Sequence, residues 1–120
     1  IYSLDKIEFD KESKLLFDLL QPQLLALGED VVELCRSKSI TYRVYDYFVE
    51  VLPRKRYLLL LINLDFDECD DPSGIASDAT EWAFITNASE EGGTLFTLET
   101  PAHINEAMHV IRQSYQSVAE

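Results

Sequence analysis

The chain has 120 residues, of which 47% are hydrophobic and 27% are charged, and its formal net charge at pH 7 is −12. This length fits one domain, and the composition is that of a globular protein. The acidic excess opposes long-range attraction to nucleic acid and to anionic membranes. No apolar run approaches the length of a membrane-spanning helix. Two cysteines cannot build a disulfide framework and no secretory leader is visible, so we expect a cytoplasmic location.

The first predicted element is a helix that begins after Asp10 and ends at Gly28. Asp10 suits the N-cap position, and glycine is a frequent stop at the C-terminal end. Six leucines recur at helical spacing and predict one wide apolar face: Leu15, Leu16, Leu19, Leu20, Leu24 and Leu27. Pro22 removes a helical hydrogen bond, so either the helix kinks there, which we favour, or a second short helix starts at Pro22.

Alternation of apolar and polar residues predicts strands in the middle of the chain. The predicted strands lie in the segments 31–35, 40–44, 47–52, 57–64 and 94–98. In the third of them, Tyr47, Val49 and Val51 alternate with Phe48, Glu50 and Leu52. The segment 65–93 shows turn signals and little regular pattern.

A second helix is predicted at the C-terminal end, because Thr100 suits the N-cap and Pro101 the first helical position. The element order predicts an α+β fold: an antiparallel β-sheet of about five strands with an N-terminal and a C-terminal helix packed on one face. We expect residues 1–9 to be a linker or edge segment and residues 10–120 to form a single domain. Because the first residue is Ile1 rather than methionine, we expect a domain cut from a longer polypeptide, although processing would leave the same start.

An acidic cluster follows the fourth predicted strand and raises the question of a metal site. Its candidate ligands are Asp65, Asp67, Asp70 and Asp71. The spacing does not fit a calcium loop of the EF-hand type, because Cys69 and Ala76 stand where that loop requires oxygen ligands. No catalytic motif is present, so we predict no catalytic residues, no metal and no cofactor.

Basic residues are concentrated in one segment of this acidic chain. Six of the ten basic residues lie between Arg36 and Arg56, interleaved with tyrosines. Side chains alternate across a strand, so Arg43 should point to solvent if Tyr42 points to the core. Cationic and aromatic groups together suit phosphate contact and base stacking. The candidate anion-binding residues are Lys38, Tyr42, Arg43, Arg54, Lys55 and Arg56. The alternative is that these cations pair with the protein's own carboxylates.

Trp82 is a candidate partner contact, because a tryptophan in an irregular segment is often exposed for binding. The alternative is that this side chain closes the margin of the core.

Several segments in order resemble one known family. They include 16–20, 38–43, 48–56, 60–64, 70–78 and 111–115. Together they are similar to an uncharacterised bacterial domain family sometimes labelled "predicted transport protein". The resemblance covers roughly Leu15 to Tyr115. It implies a domain that often stands C-terminal to a restriction-nuclease-like module. The family usually has a Gly-His-Trp-Gly stretch, whereas this chain has no histidine in the segment 81–85.

These observations lead to three functional hypotheses. The first is a non-catalytic accessory domain of a restriction-associated protein that contacts nucleic acid or nucleotide through its local basic face. The alternative is a protein–protein interaction or dimerisation module. A small metal-dependent enzyme is the least favoured. The expected partners are an upstream module of the same polypeptide, nucleic acid and a second copy of the chain, with no membrane partner.

Overall fold

The computed structural model describes residues 3–82 and 93–119, and the side chains of residues 81 and 82 are not among the described atoms. Two helices, α1 (Lys11–Leu25) and α2 (Ile104–Ala119), flank the strands along the chain. The strands are β1 (Val32–Cys35), β2 (Ile40–Arg43), β3 (Tyr47–Arg54), β4 (Tyr57–Ile62), β5 (Ser77–Asp78) and β6 (Thr94–Leu98). Within the described residues, no helix is long and apolar enough to cross a membrane.

The strands form one antiparallel sheet in the order β1-β2-β3-β4-β6-β5. The predicted α+β class with an antiparallel sheet and terminal helices is confirmed. The sheet has six strands rather than about five, because β5 pairs with β6 through only Ser77 and Asp78. Two residues are too few to show alternation in a sequence, so this strand was not predicted.

The core lies between the two helices and one face of the sheet. Tyr42, Val49, Leu60 and Phe96 point to this face and are fully buried. Over β1 to β3 the opposite face carries polar and charged side chains together with the exposed Val32 and Leu34, and we call that part the open face. Over β3, β4 and β6 the same face carries a second, smaller apolar cluster: Leu52, Leu59, Leu61, Ala79 and Leu95. Among residues 3–82 and 93–119, the helices therefore cover one face only, and no helix of that part of the chain packs on the open face.

Strand β3 contains a β-bulge that determines which of its side chains lie on the open face. Tyr42 pairs with Val49, but its neighbour Arg43 pairs with Tyr47, so Phe48 is an extra residue on β3. Such a β-bulge changes the face of the sheet to which the neighbouring side chains point. Phe48 packs in the core, with its ring 5.3 Å from that of Tyr115 on α2. Tyr47 is thereby placed beside Arg43, on the open face.

Helix α1 begins at the predicted cap. Asp10 accepts a hydrogen bond from the Ser13 backbone N–H at 2.8 Å and from its hydroxyl at 2.7 Å. The helix runs through Pro22 without interruption, so a second helix starting at Pro22 is excluded. The prediction of one wide apolar face was wrong in part. Leu16, Leu20 and Leu24 are buried, but Leu15 is 56% exposed and Leu19 is 43% exposed.

The segment before α1 packs more closely than a linker would. Leu4–Lys6 forms a short 3-10 helix, and Ile7 belongs to the buried core. The ring of Phe9 lies 5.0 Å from the ring of Phe17 on α1. These contacts attach the first residues to the helical side of the domain.

Candidate anion-binding face

Arg43 and Tyr42 lie on opposite sides of β2, as the alternation predicts. Arg43 is exposed on the open face. Tyr42 is fully buried on the helical side, and its hydroxyl donates to Glu33 Oε2 at 2.7 Å. Burial, together with this hydrogen bond and the charge of Glu33, raises the pKa of Tyr42. Its ring is therefore closed to a ligand, and Tyr42 does not belong to the candidate site.

Four cations follow the open face and the end of the sheet, and we call them the basic strip: Arg36, Lys38, Arg43 and Arg54. Arg43 lies beside Tyr47 at the start of β3, and Arg54 ends that strand. Tyr47 and Arg54 are seven residues apart along β3, which corresponds to about 23 Å of extended chain. Arg36 and Lys38 belong to the turn between β1 and β2, which lies at the Arg54 end. The strip is thus long enough to follow several phosphates of an extended polyanion.

A cavity of 380 Å³ lies on the open face, and we call it the open-face pocket. The side chains that matter chemically are Arg36, Thr41, Arg43, Tyr45, Tyr47 and Glu50. Thr41 and Glu50 are direct cross-strand neighbours, as are Arg43 and Tyr47. The short side chain of Thr41 lies between longer ones, which gives the floor its concave shape.

Two hydrogen bonds hold charged groups in the open-face pocket. Arg36 Nε donates to Thr41 Oγ1 at 3.2 Å, and Ser39 Oγ donates to Glu50 Oε2 at 2.7 Å. The two terminal nitrogens of Arg36 and the other oxygen of Glu50 have no partner within the described part of the chain. Tyr45 is 78% exposed, so its ring is open to solvent. The pocket therefore presents the guanidinium groups of Arg36 and Arg43, the carboxylates of Asp46 and Glu50, and an aromatic face together.

The β3–β4 hairpin carries Arg54, Lys55 and Arg56 at one end of the sheet. Lys55 and Arg56 are exposed in the turn, where Arg56 has a positive φ of 74°. The backbone N–H of Arg56 donates to Asp10 Oδ2 at 2.6 Å. The hydrogen bonds from Ser13 and this contact lower the pKa of Asp10. One anionic cap therefore fixes both α1 and the hairpin, which holds the cationic tip in place.

A further cavity of 310 Å³ lies beside this hairpin. Its cations are Lys6, Lys38 and Arg54, and Glu8 also lines it. Lys38 and Arg54, which are sixteen positions apart in the sequence, are thus brought to one surface. This juxtaposition extends the basic strip around the end of the sheet.

No cation of the predicted site forms a salt bridge with a carboxylate of the described residues, although the charge of Arg56 interacts with that of Asp10. The two ion pairs there join Lys14 to Asp18 and His109 to Asp70. Neither pair involves a cation between residues 36 and 56. The alternative reading of the basic segment, internal pairing, thus finds no salt bridge in its favour within residues 3–82 and 93–119. The charges of the basic strip are therefore not neutralised by a salt bridge among the described residues.

The acidic cluster is used for local structure and for contact with α2. Asp71 accepts from the Ser73 hydroxyl at 2.5 Å and from the Ala76 N–H at 2.7 Å. Asp70 contacts α2 through His109 Nε2 at 2.8 Å and, through its backbone, Gln113. Asp65 caps a 3-10 helix over Phe66–Glu68 by accepting from the Asp67 N–H. Among the described residues, no group of three or more His, Cys, Asp or Glu could hold a metal ion.

Of the residues that line the open-face pocket, only Arg43 was among the predicted site residues. No sequence pattern places Glu50 opposite Thr41, because the bulge at Phe48 shifts the register between β2 and β3 by one residue. The position of Tyr47 had no signal in the sequence, because it depends on the bulge at Phe48. Trp82 ends a short 3-10 helix, Ala79–Trp82, but its side chain lies outside the described residues.

Comparison with known proteins gives a family without an assigned activity. The model of DUF5655, a domain of unknown function, matches residues 6–118. No curated protein and no solved structure gives a match. The resemblance of the sequence to an uncharacterised domain family is therefore confirmed at that level. Because the match spans nearly all of the chain, the protein belongs to the DUF5655 family of domains of unknown function.

Proposed function

We propose that this domain is a non-catalytic accessory domain that binds the phosphate backbone of nucleic acid through the basic strip. In this proposal it serves a larger, restriction-associated bacterial protein and works beside an upstream module of the same polypeptide. The observation that carries the proposal is that no cation of the strip forms a salt bridge within the described residues. Phosphate would supply the missing charge partner.

The net charge of −12 does not prevent local binding. At physiological salt the Debye length is about 8 Å, so distant carboxylates are largely screened from a ligand on the strip. Two carboxylates, Asp46 and Glu50, share the pocket with Arg36 and Arg43, and Glu8 lines the cavity that contains Lys38 and Arg54. A ligand that touches all four cations of the strip therefore meets more positive than negative charge. The acidic remainder of the surface would favour binding in one orientation.

Titration of the isotope-labelled protein with short single- and double-stranded DNA and RNA at low salt tests this proposal. Amide shifts should be concentrated at Arg36, Lys38, Arg43 and the segment 54–56. They should weaken as salt rises, since each phosphate contact releases counterions. Shifts spread evenly over α1 and α2, or no shifts with any of the four ligands, would contradict the proposal.

A second candidate function, self-association, is favoured by the exposed side of α1. Leu15 and Leu19 are exposed, and Pro22 and Ala26 continue the same stripe at three- and four-residue spacing. We call these four residues the α1 stripe. It lies away from the buried face formed by Leu16, Leu20 and Leu24. An apolar stripe on a helix surface commonly marks a contact with another protein surface.

The α1 stripe is self-complementary, which favours a second copy of this chain as the partner. A two-fold axis between Leu20 and Gln21 would place Leu15 opposite Ala26 and Leu19 opposite Pro22. Two-fold interfaces use the same surface patch on both subunits in this way. Antiparallel pairing also sets the positive end of each helix dipole beside the negative end of the other.

Sedimentation of the wild-type protein and two leucine variants tests this second function. The wild type should show a concentration-dependent dimer, and Leu19→Glu should be monomeric because it buries a charge at the centre of the interface. Leu25→Glu is the matched control, since Leu25 is 41% exposed, close to the 43% of Leu19, but lies beside the stripe. A wild-type monomer at all concentrations, or equal dissociation by both variants, would rule out the α1 stripe as the interface.

A further inference from the structure

We propose that the open-face pocket takes one unpaired nucleotide of a single strand and reads its base through Glu50, with guanine as the preferred base. This inference rests on the proposed function, because it assigns a base-reading role to part of the same basic face. It differs from backbone binding in that it predicts selectivity among sequences.

The size and shape of the pocket favour a single flat group over a duplex. Its volume is 380 Å³, within the range of cavities that hold small organic ligands. Thr41 lies at the recessed floor of the pocket. A duplex lying across the mouth of the pocket would therefore contact Arg36 and Arg43 but would not reach Thr41. An unstacked base from a single strand can enter such a recess, and unpaired bases are the ones that proteins read on their hydrogen-bonding edges.

Glu50 gives the pocket its preference among bases, because both oxygens of Asp46, the other carboxylate of the lining, already accept hydrogen bonds from the Tyr47 N–H and from Asn63. Its Oε2 accepts from Ser39, which fixes the carboxylate, and its Oε1 has no partner in the described residues. A carboxylate accepts hydrogen bonds and donates none when it is ionised. Guanine presents a ring N–H and an amino group side by side, so it can donate twice to one carboxylate. Thymine and uracil present a single ring N–H between two carbonyl oxygens, and those oxygens would face the charge of Glu50.

The other side chains suit the remaining parts of a nucleotide. Arg36 is held through Nε by Thr41, which leaves its two terminal nitrogens for a phosphate. Arg43 lies at the opposite side of the same pocket, so phosphates on either side of the base would each meet a guanidinium. Tyr45, which is 78% exposed, offers a ring on which a base can stack. The phosphate, the hydrogen-bonding edge of the base and the face of the base thus have a counterpart each.

The test uses labelled nonathymidylate and three variants of it that carry one central dG, dC or dA, with fluorescence anisotropy as the readout. The wild-type protein should bind the dG oligonucleotide about tenfold more tightly than nonathymidylate. The Glu50→Gln variant, which keeps an oxygen acceptor for Ser39, should bind the two with nearly equal affinity, because the amide both donates and accepts. A duplex that contains the same guanine in a base pair should show no such preference.

The outcomes separate this inference from the proposed function. Equal wild-type affinity for all four oligonucleotides would overturn base reading and leave backbone binding intact. A dG preference that persists in Glu50→Gln would also overturn it, since the carboxylate would then not be the reader. Absence of binding to every oligonucleotide would overturn both. If guanosine monophosphate competed as effectively as the dG oligonucleotide, the ligand would be a free nucleotide. That result would contradict the proposal that the bound nucleotide belongs to a single strand.

Discussion

Reversing two charges of the open-face pocket, in the double variant Arg36→Glu and Arg43→Glu, should lower the affinity for single-stranded DNA on the order of 100-fold at moderate salt. Each substitution removes one phosphate contact and adds a charge that repels the backbone. The slope of log affinity against log salt should become shallower by about 1.4, or 0.7 for each lost contact to a single strand. Anisotropy titrations at several salt concentrations would measure both quantities.

A control for this prediction needs the same change in net charge elsewhere on the surface. Lys14→Glu combined with Arg112→Glu provides it, because both side chains are exposed on helices at the other side of the sheet. This control should change affinity only slightly and leave the salt slope unaltered. If both double variants lost affinity equally, the effect would come from total charge, and the basic strip would not be the binding surface.

Replacing Phe48 by alanine should destabilise the protein by about 3–5 kcal/mol, as is usual when a large buried aromatic side chain is truncated. Phe48 is fully buried, packs edge-on against Tyr115 and lies at the bulge of β3. Alanine keeps the backbone carbonyl, which accepts from the Ser114 hydroxyl at 2.9 Å. The loss therefore reports side-chain packing. Urea denaturation would measure the change in the free energy of unfolding.

Tyr45→Ala is the matched control for Phe48→Ala. It also removes an aromatic ring three positions away, but Tyr45 is 78% exposed, so stability should change by no more than about 0.5 kcal/mol. Comparable destabilisation in the two variants would mean that the ring of Phe48 does not hold the bulge and α2 together. Because Tyr45→Ala should weaken base stacking without unfolding the domain, this pair separates residues of the fold from residues of the site.

Much of the fold was predictable because it depends on local rules. The cap at Asp10, the proline start at Pro101 and the alternation in β2 all depend on neighbouring residues, and the structure agrees with each. The same rules placed two exposed leucines of the first helix, Leu15 and Leu19, on its buried face. Periodicity showed that α1 is rich in leucine, but it could not show that Leu15 and Leu19 lie outside the buried stripe. That outcome depends on which side of α1 meets the sheet.

The candidate site was only partly predictable. The sequence identified a run of cations and the outward direction of Arg43, since both follow from composition and from alternation along one strand. It also nominated Tyr42 as a ligand contact, which its complete burial excludes. Glu50 was passed over because an isolated glutamate in a strand has no special pattern. Its position beside Arg36 and Thr41 appears only when the strands are paired.

The sequence by itself determined the class of the fold, the two helices, the longer strands and the concentration of positive charge between residues 36 and 56. These are properties of short segments, so hydrophobic period, capping chemistry and composition suffice to reveal them. The tertiary structure decided the register, the bulge and the free side of α1. At the bulge one extra residue turns Phe48 to the core and Tyr47 to the open face. The open-face pocket depends on this orientation of the two side chains. The orientation in turn depends on packing between β3 and α2 and on cross-strand pairing with β2.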